Sequence, residues 1–173
     1  MTRNTFISDL HLACAKDEKR PEFQCIYFLN GFAYTATPHM VIKQPLHLSQ
    51  VYGIDFLEGK LIHAESFKAI RKMKSVIATE DGFECISKGG SNVFFQYSEG
   101  THPDFDAVLQ PMGAGMVADV CVNTTLLGIL AKAMAGGAAV KMAFQGQGVP
   151  MLIEPIDSEY EGEVAVVMPI TIS

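Results

Sequence analysis

Apolar residues along this chain switch between two spacings, and the switch recurs. At 5–17, Ile7, Leu10 and Cys14 keep helical spacing with Ala13 beside them, which predicts a short helix. Lys16-Asp17-Glu18-Lys19-Arg20-Pro21 ends that pattern, because proline cannot continue a helix. The runs "EFQCIYF" (22–28) and "GFAYTAT" (31–37) then read as strands, with Asn30-Gly31 between them as a hairpin turn. "HMVIKQPL" (39–46) predicts a third strand, closed at Pro45.

The order then repeats. Residues 64–74 predict a helix with Phe67, Ile70 and Met73 on one side and Lys68, Arg71 and Lys72 on the other. Strand-like runs follow at 74–79, 82–87 and 92–98, separated by Glu80-Asp81-Gly82 and Gly89-Gly90-Ser91. Beyond the Pro103 and Pro111 turns comes a third round. A strand at 116–122 leads to a helix at 124–135 and strands at 139–145, 149–155 and 163–172. A helix followed by strands thus occurs at a period of roughly 55–60 residues, without any literal repetition. The fold class expected is α+β, with boundaries near 50–60 and near 112.

Composition narrows the picture. The 173 residues are 49% hydrophobic and 18% charged, enough for a real core in one domain or two small ones. No apolar run approaches the ~20 residues that span a bilayer, so no membrane partner is expected. Met1-Thr2-Arg3-Asn4 leads into a mixed segment containing Asp9, which does not read as a secretory signal. Cys14, Cys25, Cys85 and Cys121 form no Cys-x-x-Cys pair, so zinc and redox motifs are unsupported and a cytoplasmic protein with reduced thiols is expected. The net charge of −6 opposes a uniformly basic surface but permits one basic face.

"ISDLHL" (7–12) spells the opening of a two-metal phosphoesterase. Such a site holds two cations about 3.5–4 Å apart with about seven ligands. The others normally come from Gly-Asp, Gly-Asn-His and Gly-His-x-His elements, and the chain has no Gly-Asp, Asn-His or Gly-His. Asp9 and His11 are therefore read as helical residues, with a metallophosphoesterase kept as a distant alternative and no metal expected. Gly113-Ala114-Gly115 and Gly146-Gln147-Gly148 complete no phosphate loop, and no cofactor is expected. Cys25 and Cys121 sit in apolar strand runs, where a thiol behaves as a small hydrophobe.

Lys68, Arg71 and Lys72 share one stripe by i, i+3 and i+4 spacing. A solvated helix face and a phosphate-contacting surface both fit. Residues 61–111 hold five of the thirteen Lys and Arg residues, four of them within 68–74, on an otherwise acidic chain.

Three stretches together resemble the bacterial sliding clamp, the β subunit of DNA polymerase III. "RPEFQCIYFLNGFAYTATPHMVI" (20–42) is similar to the family's strand pair ending in an Ala-Thr-Asp-Gly-His-Arg turn. "FFQYSEGTHPDFDAVLQP" (94–111) resembles its Gly-x-Phe-Pro-Asp-Tyr-x-x-Val-x-Pro segment. "GVPMLIEP" and "EVAVVMPITI" resemble its Pro-x-x-Ile-x-Pro and terminal Val-Met-Pro-Met-x-Leu. The Asp-Gly and Arg of the family's turn are missing, and the terminal Met-x-Leu is replaced by Ile-Thr-Ile.

The resemblance implies a DNA-clamp-like fold of repeated helix-plus-antiparallel-strand half-domains. Residues 1–111 would correspond to a middle domain and 112–173 to the second half of a last domain. It implies a non-catalytic processivity or scaffolding factor on double-stranded DNA, read without sequence preference through Lys68, Arg71 and Lys72. Polymerases or repair proteins would insert short hydrophobic peptides into a groove. Its walls would be Phe23, Thr37, Pro38, His39, Met40, Val41 and Pro111 on one side, and Val166, Met168, Pro169, Ile170, Thr171 and Ile172 on the other. The alternative is a clamp-derived oligomeric module that does not encircle DNA. A lone half-domain at 112–173 would leave an edge its own chain cannot cover, so a homo-oligomer is expected, at least a dimer paired through the 112–173 halves.

Overall fold

The chain reverses tightly at Asn30 and Gly31, whose positive φ angles of 52° and 78° suit a two-residue hairpin turn. That turn joins β1 (Cys25–Leu29) to β2 (Phe32–Thr37). Pro38 and His39 then turn β2 into β3 (Met40–Pro45), with Thr37 opposite Met40. The computed structural model describes residues 8–16, 21–109, 121–136, 139–144 and 148–170. Beyond β3 come β4 (Leu61–His63), α1 (Ala64–Ile70), β5 (Ser75–Ala78), β6 (Gly82–Ile86) and β7 (Asn92–Gln96). A short α2 (Phe105–Val108), α3 (Thr124–Ala133), β8 (Val140–Ala143), β9 (Met151–Pro155) and β10 (Val164–Val167) complete the order.

Seven strands form one antiparallel sheet in the order β4-β1-β2-β3-β10-β9-β8, and β5-β6-β7 form a second. The join at β3–β10 sets Val166 opposite Val41 and Val167 opposite Met40. Strands from 25–63 and from 140–167 therefore share one sheet, which runs across position 112. Alternation divides the residues between two faces. Ile26, Phe28, Ile42, Ala165 and Val167 face a core that also takes in Phe67 and Ile70 of α1 and Leu130 and Ala133 of α3. Phe28 meets Phe83 of the small sheet edge to face at 6.0 Å, bringing both sheets into that core. Tyr27, Tyr34, Ala36 and Val41 face the other way, against Phe105.

Several elements are shorter than the sequence pattern predicts. The helix expected at 5–17 is one 3-10 turn, Leu10–Ala13, packed against both α1 and α3. Cys14 already has extended backbone, and its thiol lies 3.0 Å from the Thr35 hydroxyl, so packing stops the helix there. Residues 5–7 and 17 lie outside the described residues. Residues 21–24 form a 3-10 turn instead of the start of a strand. α1 ends at Ile70 and α3 at Ala133, each short of its predicted end. Of the strand expected at 116–122, only Cys121 and Val122 are described; Cys121 bridges Ile170. The edge expected to be bare on the last unit is half covered: β3 occupies one side of β10, and β8 has no outer strand among the described residues. α3 likewise packs on the 10–13 turn of the same chain.

Candidate functional site

On the sheet face away from α1 and α3, the tight β2–β3 turn and the end of β10 enclose a cleft of about 400 Å³. Its floor is made by Ala36, Met40, Val41, Phe105 and Val166, all buried. Pro38 and His39 stand exposed at the rim, and the turn is held by the His39 amide donating to Thr37 Oγ1 at 3.3 Å. The Met168 amide donates to the His39 carbonyl at 3.0 Å, so the chain leaving β10 is tied to the turn it faces. Met168 itself is 38% exposed, which leaves its thioether available to an incoming apolar group.

Phe105 is the part of the site the sequence reading missed. Asp104 caps α2 by accepting from the Ala107 amide at 3.0 Å, and the short helix delivers Phe105 onto the sheet. The ring stacks on Tyr34 at 4.6 Å and meets Tyr27 edge to face at 5.5 Å. Pro103, Pro150 and Ala36 join the lining as well. The aromatic after a helix-capping Asp was the available signal for Phe105. Pro150 carries no local signal, since the sheet join alone brings it near.

Of the predicted groove residues, Phe23, Thr37, Pro38, His39, Met40, Val41, Val166 and Met168 all line this cleft. Pro169 and Ile170 do not; Ile170 instead donates its amide to the Cys121 carbonyl at 2.7 Å. Pro111, Thr171 and Ile172 lie outside the described residues. Among the described residues the lining holds no Lys, Arg, Asp or Glu, and its chemistry is that of an apolar receptor. Burial pushes the Cys14 thiol up to about 12 and the Cys85 thiol up to about 11, which keeps both protonated and unreactive.

The opposite face of the sheet carries α1 and α3, and there Arg71 of the basic stripe is paired. Arg71 pairs with Asp9 at the head of the 10–13 turn, and its side chain is only 12% exposed. Of the three cations expected on one stripe, Arg71 thus meets a carboxylate of the same chain, because the fold draws Asp9 to the C-terminal end of α1. Lys68 reaches Glu65 at 3.2 Å in an exposed i, i+3 pair, and Lys72 is exposed. His11 lies 3.8 Å from Asp9, and its buried Nδ1 has no hydrogen-bond partner among the described residues. Burial and the nearby Lys68 and Lys72 lower its pKa, against the opposing pull of Glu65. Asp9 and His11 thus anchor a turn between helices. Among the described residues no three His, Cys, Asp or Glu side chains converge as a metal site would need.

No family model and no curated protein matches the chain. Solved structures do. The DNA polymerase III beta subunit of Thermotoga maritima superposes with a TM-score of 0.67 at 11% identity, over 96% of this chain and 62% of that one. The sliding clamp of Bacillus subtilis gives 0.65 at 12% identity, over 96% and 61%. The Bartonella birtlesii clamp, solved bound to griselimycin, gives 0.65 at 15% identity, over 95% and 64%. The chain spans less than two thirds of the length of each. Almost all of it nevertheless follows their backbone. It has the sliding-clamp fold.

Proposed function

We propose that this protein is a non-catalytic, clamp-like tethering factor that captures short hydrophobic peptides of replication or repair proteins. The observation that carries this reading is the apolar cleft between the β2–β3 turn and the end of β10. A peptide anchor such as Leu or Phe gains about 2 kcal/mol from burial there, without any reacting group. Residues 1–111 stand for a middle-type domain in this reading, and 112–173 for a half-domain fused to it through the β3–β10 pairing. Double-stranded DNA would be met by the helical face through Lys68 and Lys72, with Arg71 contributing mainly through its pair with Asp9.

Calorimetric titration of a short apolar clamp-binding peptide tests the cleft. Met168→Asp is expected to weaken binding about tenfold or more, while leaving unfolding nearly unchanged because the side chain is partly exposed. Equal affinity in the variant would remove the cleft from the reading. The second reading, a scaffold that does not encircle DNA, is favoured by the Arg71–Asp9 pair and the −6 net charge. Low-salt binding to unrelated duplexes separates the two. A tethering factor on DNA should lose affinity for all of them alike when Lys68 and Lys72 are neutralised.

A further inference from the structure

A second hollow, of about 680 Å³, opens at the start of β5, on the other sheet from the apolar cleft. It exists because two segments of chain are zipped together at one point. Tyr52 bridges Ile77 in parallel, its amide donating to the Val76 carbonyl at 3.2 Å and its carbonyl accepting from the Ala78 amide at 2.8 Å. Toward Ser49 and Lys74 the pairing is not continued among the described residues, and the gap between the two segments is the pocket. Ser49, Gln50 and Tyr52 line one side, with Val51 buried beside them. Lys74 and Ser75 line the other, next to Ile86, which stands opposite Ser75 in the β5–β6 ladder.

The polar groups of this pocket are uncommitted. The Gln50 amide, the Tyr52 hydroxyl, the Lys74 ammonium and the Ser75 hydroxyl make no hydrogen bond or ion pair among the described residues. All four can donate, and no described Asp or Glu lines the pocket, so the group they suit is an anion with several acceptor oxygens. Lys72 and Lys88 are exposed within two residues of Lys74 and Ile86 and add to the local positive field. Glu84 lies about 7 Å along β6 from Ile86 and outside the lining. The net charge of −6 acts from further away, where salt screens it beyond about 8 Å.

The pocket also offers a flat apolar surface. Tyr52 is 70% exposed and Ile86 39% exposed, and an exposed tyrosine ring stacks with any nucleobase. A phosphate for Lys74 and Ser75 and a ring for Tyr52 and Ile86 occur together in one small molecule, a nucleotide. The volume falls within the roughly 300–1,000 Å³ of sites that hold such molecules. We infer that this pocket binds a free nucleotide, with its phosphates on Lys74 and Ser75, its base against Tyr52 and the Gln50 amide at the base edge. The inference stands apart from the tethering reading, since no residue of the pocket lines the apolar cleft.

Calorimetric titration with ADP, adenosine and inorganic phosphate tests the pocket. ADP is expected to bind the unaltered chain about tenfold more tightly than either of the others, because only ADP presents both ring and phosphate. Lys74→Gln should raise the ADP dissociation constant about tenfold, and Lys74→Arg should restore most of the affinity. Tyr52→Ala should raise it about fivefold, while Tyr52→Phe, which keeps the ring, should recover most of that loss. Both side chains are exposed, so all four variants are expected to unfold as the unaltered chain does. Lys132→Gln on α3 should leave ADP binding unchanged. ADP that fails to bind at millimolar concentration overturns the inference. So does inorganic phosphate that binds as tightly as ADP, or ADP affinity that survives both Lys74→Gln and Tyr52→Ala. A single-stranded oligothymidylate that needs Lys74 and Tyr52, where ADP does not bind, would assign the pocket to a strand and equally overturn it.

Discussion

Glu163 is 1% exposed and holds three donors: Gln44 Nε2 at 2.9 Å and the Ala135 and Gly136 amides at 2.8 and 3.0 Å. It stands at the entrance to β10, Gln44 lies on β3, and the two amides follow the end of α3. One side chain therefore ties the first unit to the last, and Ser8 extends the network by donating to Gln44 at 3.0 Å. Removing it strands buried donors, each worth about 1–3 kcal/mol. Glu163→Ala is expected to lower the unfolding free energy by about 3 kcal/mol or more in urea titration, with Glu163→Gln costing less. Nothing in the sequence marks Glu163, because its partners lie 28 and 119 positions away along the chain. The partner of Arg71 was hidden for a similar reason, since helical spacing identifies a stripe but not the carboxylate of Asp9 that meets it.

Among the elements, those bounded by local chemistry follow the sequence pattern. The Asn-Gly turn, the alternating strands and the amphipathic α1 and α3 depend on neighbours a few residues apart. The 10–13 turn is shorter than its periodicity implies, since Cys14 leaves helical geometry beside Thr35. α2 shows what a four-residue helix contributes when a cap and one aromatic are well placed. Phe105→Ala should cost about 3–5 kcal/mol, as a buried ring replaced by a cavity does. It should also weaken peptide binding in the same titration, and chemical denaturation reads the stability loss directly.

At the scale of the whole molecule, α1, α3 and the 10–13 turn pack on one side of the sheet, and His11 is the titrating group between them. Its pKa is lowered in the fold, so the unfolded chain binds the proton more readily. That contribution to stability is fully present above the ordinary value of 6.5 and is lost as pH falls through the lowered one. Urea unfolding of the unaltered chain should weaken between neutral and mildly acidic pH, and His11→Gln should reduce that slope. An identical slope in the variant would assign the acid sensitivity to other groups.

The sequence by itself determined the α+β class, three rounds of helix and strands, and most of the residues around the cleft. Those features rest on periodicity, on turn residues, and on motifs carried within single strands. Tertiary structure alone decided that β10 pairs with β3, that Phe105 and Pro150 reach the cleft, and that Asp9 takes Arg71. Each of these joins residues far apart in the chain, where hydrophobic pattern is silent about partner and register. Two strands of equal pattern offer the same edge. Which edge is filled and which, like that of β7, stays open depends on where the other units pack.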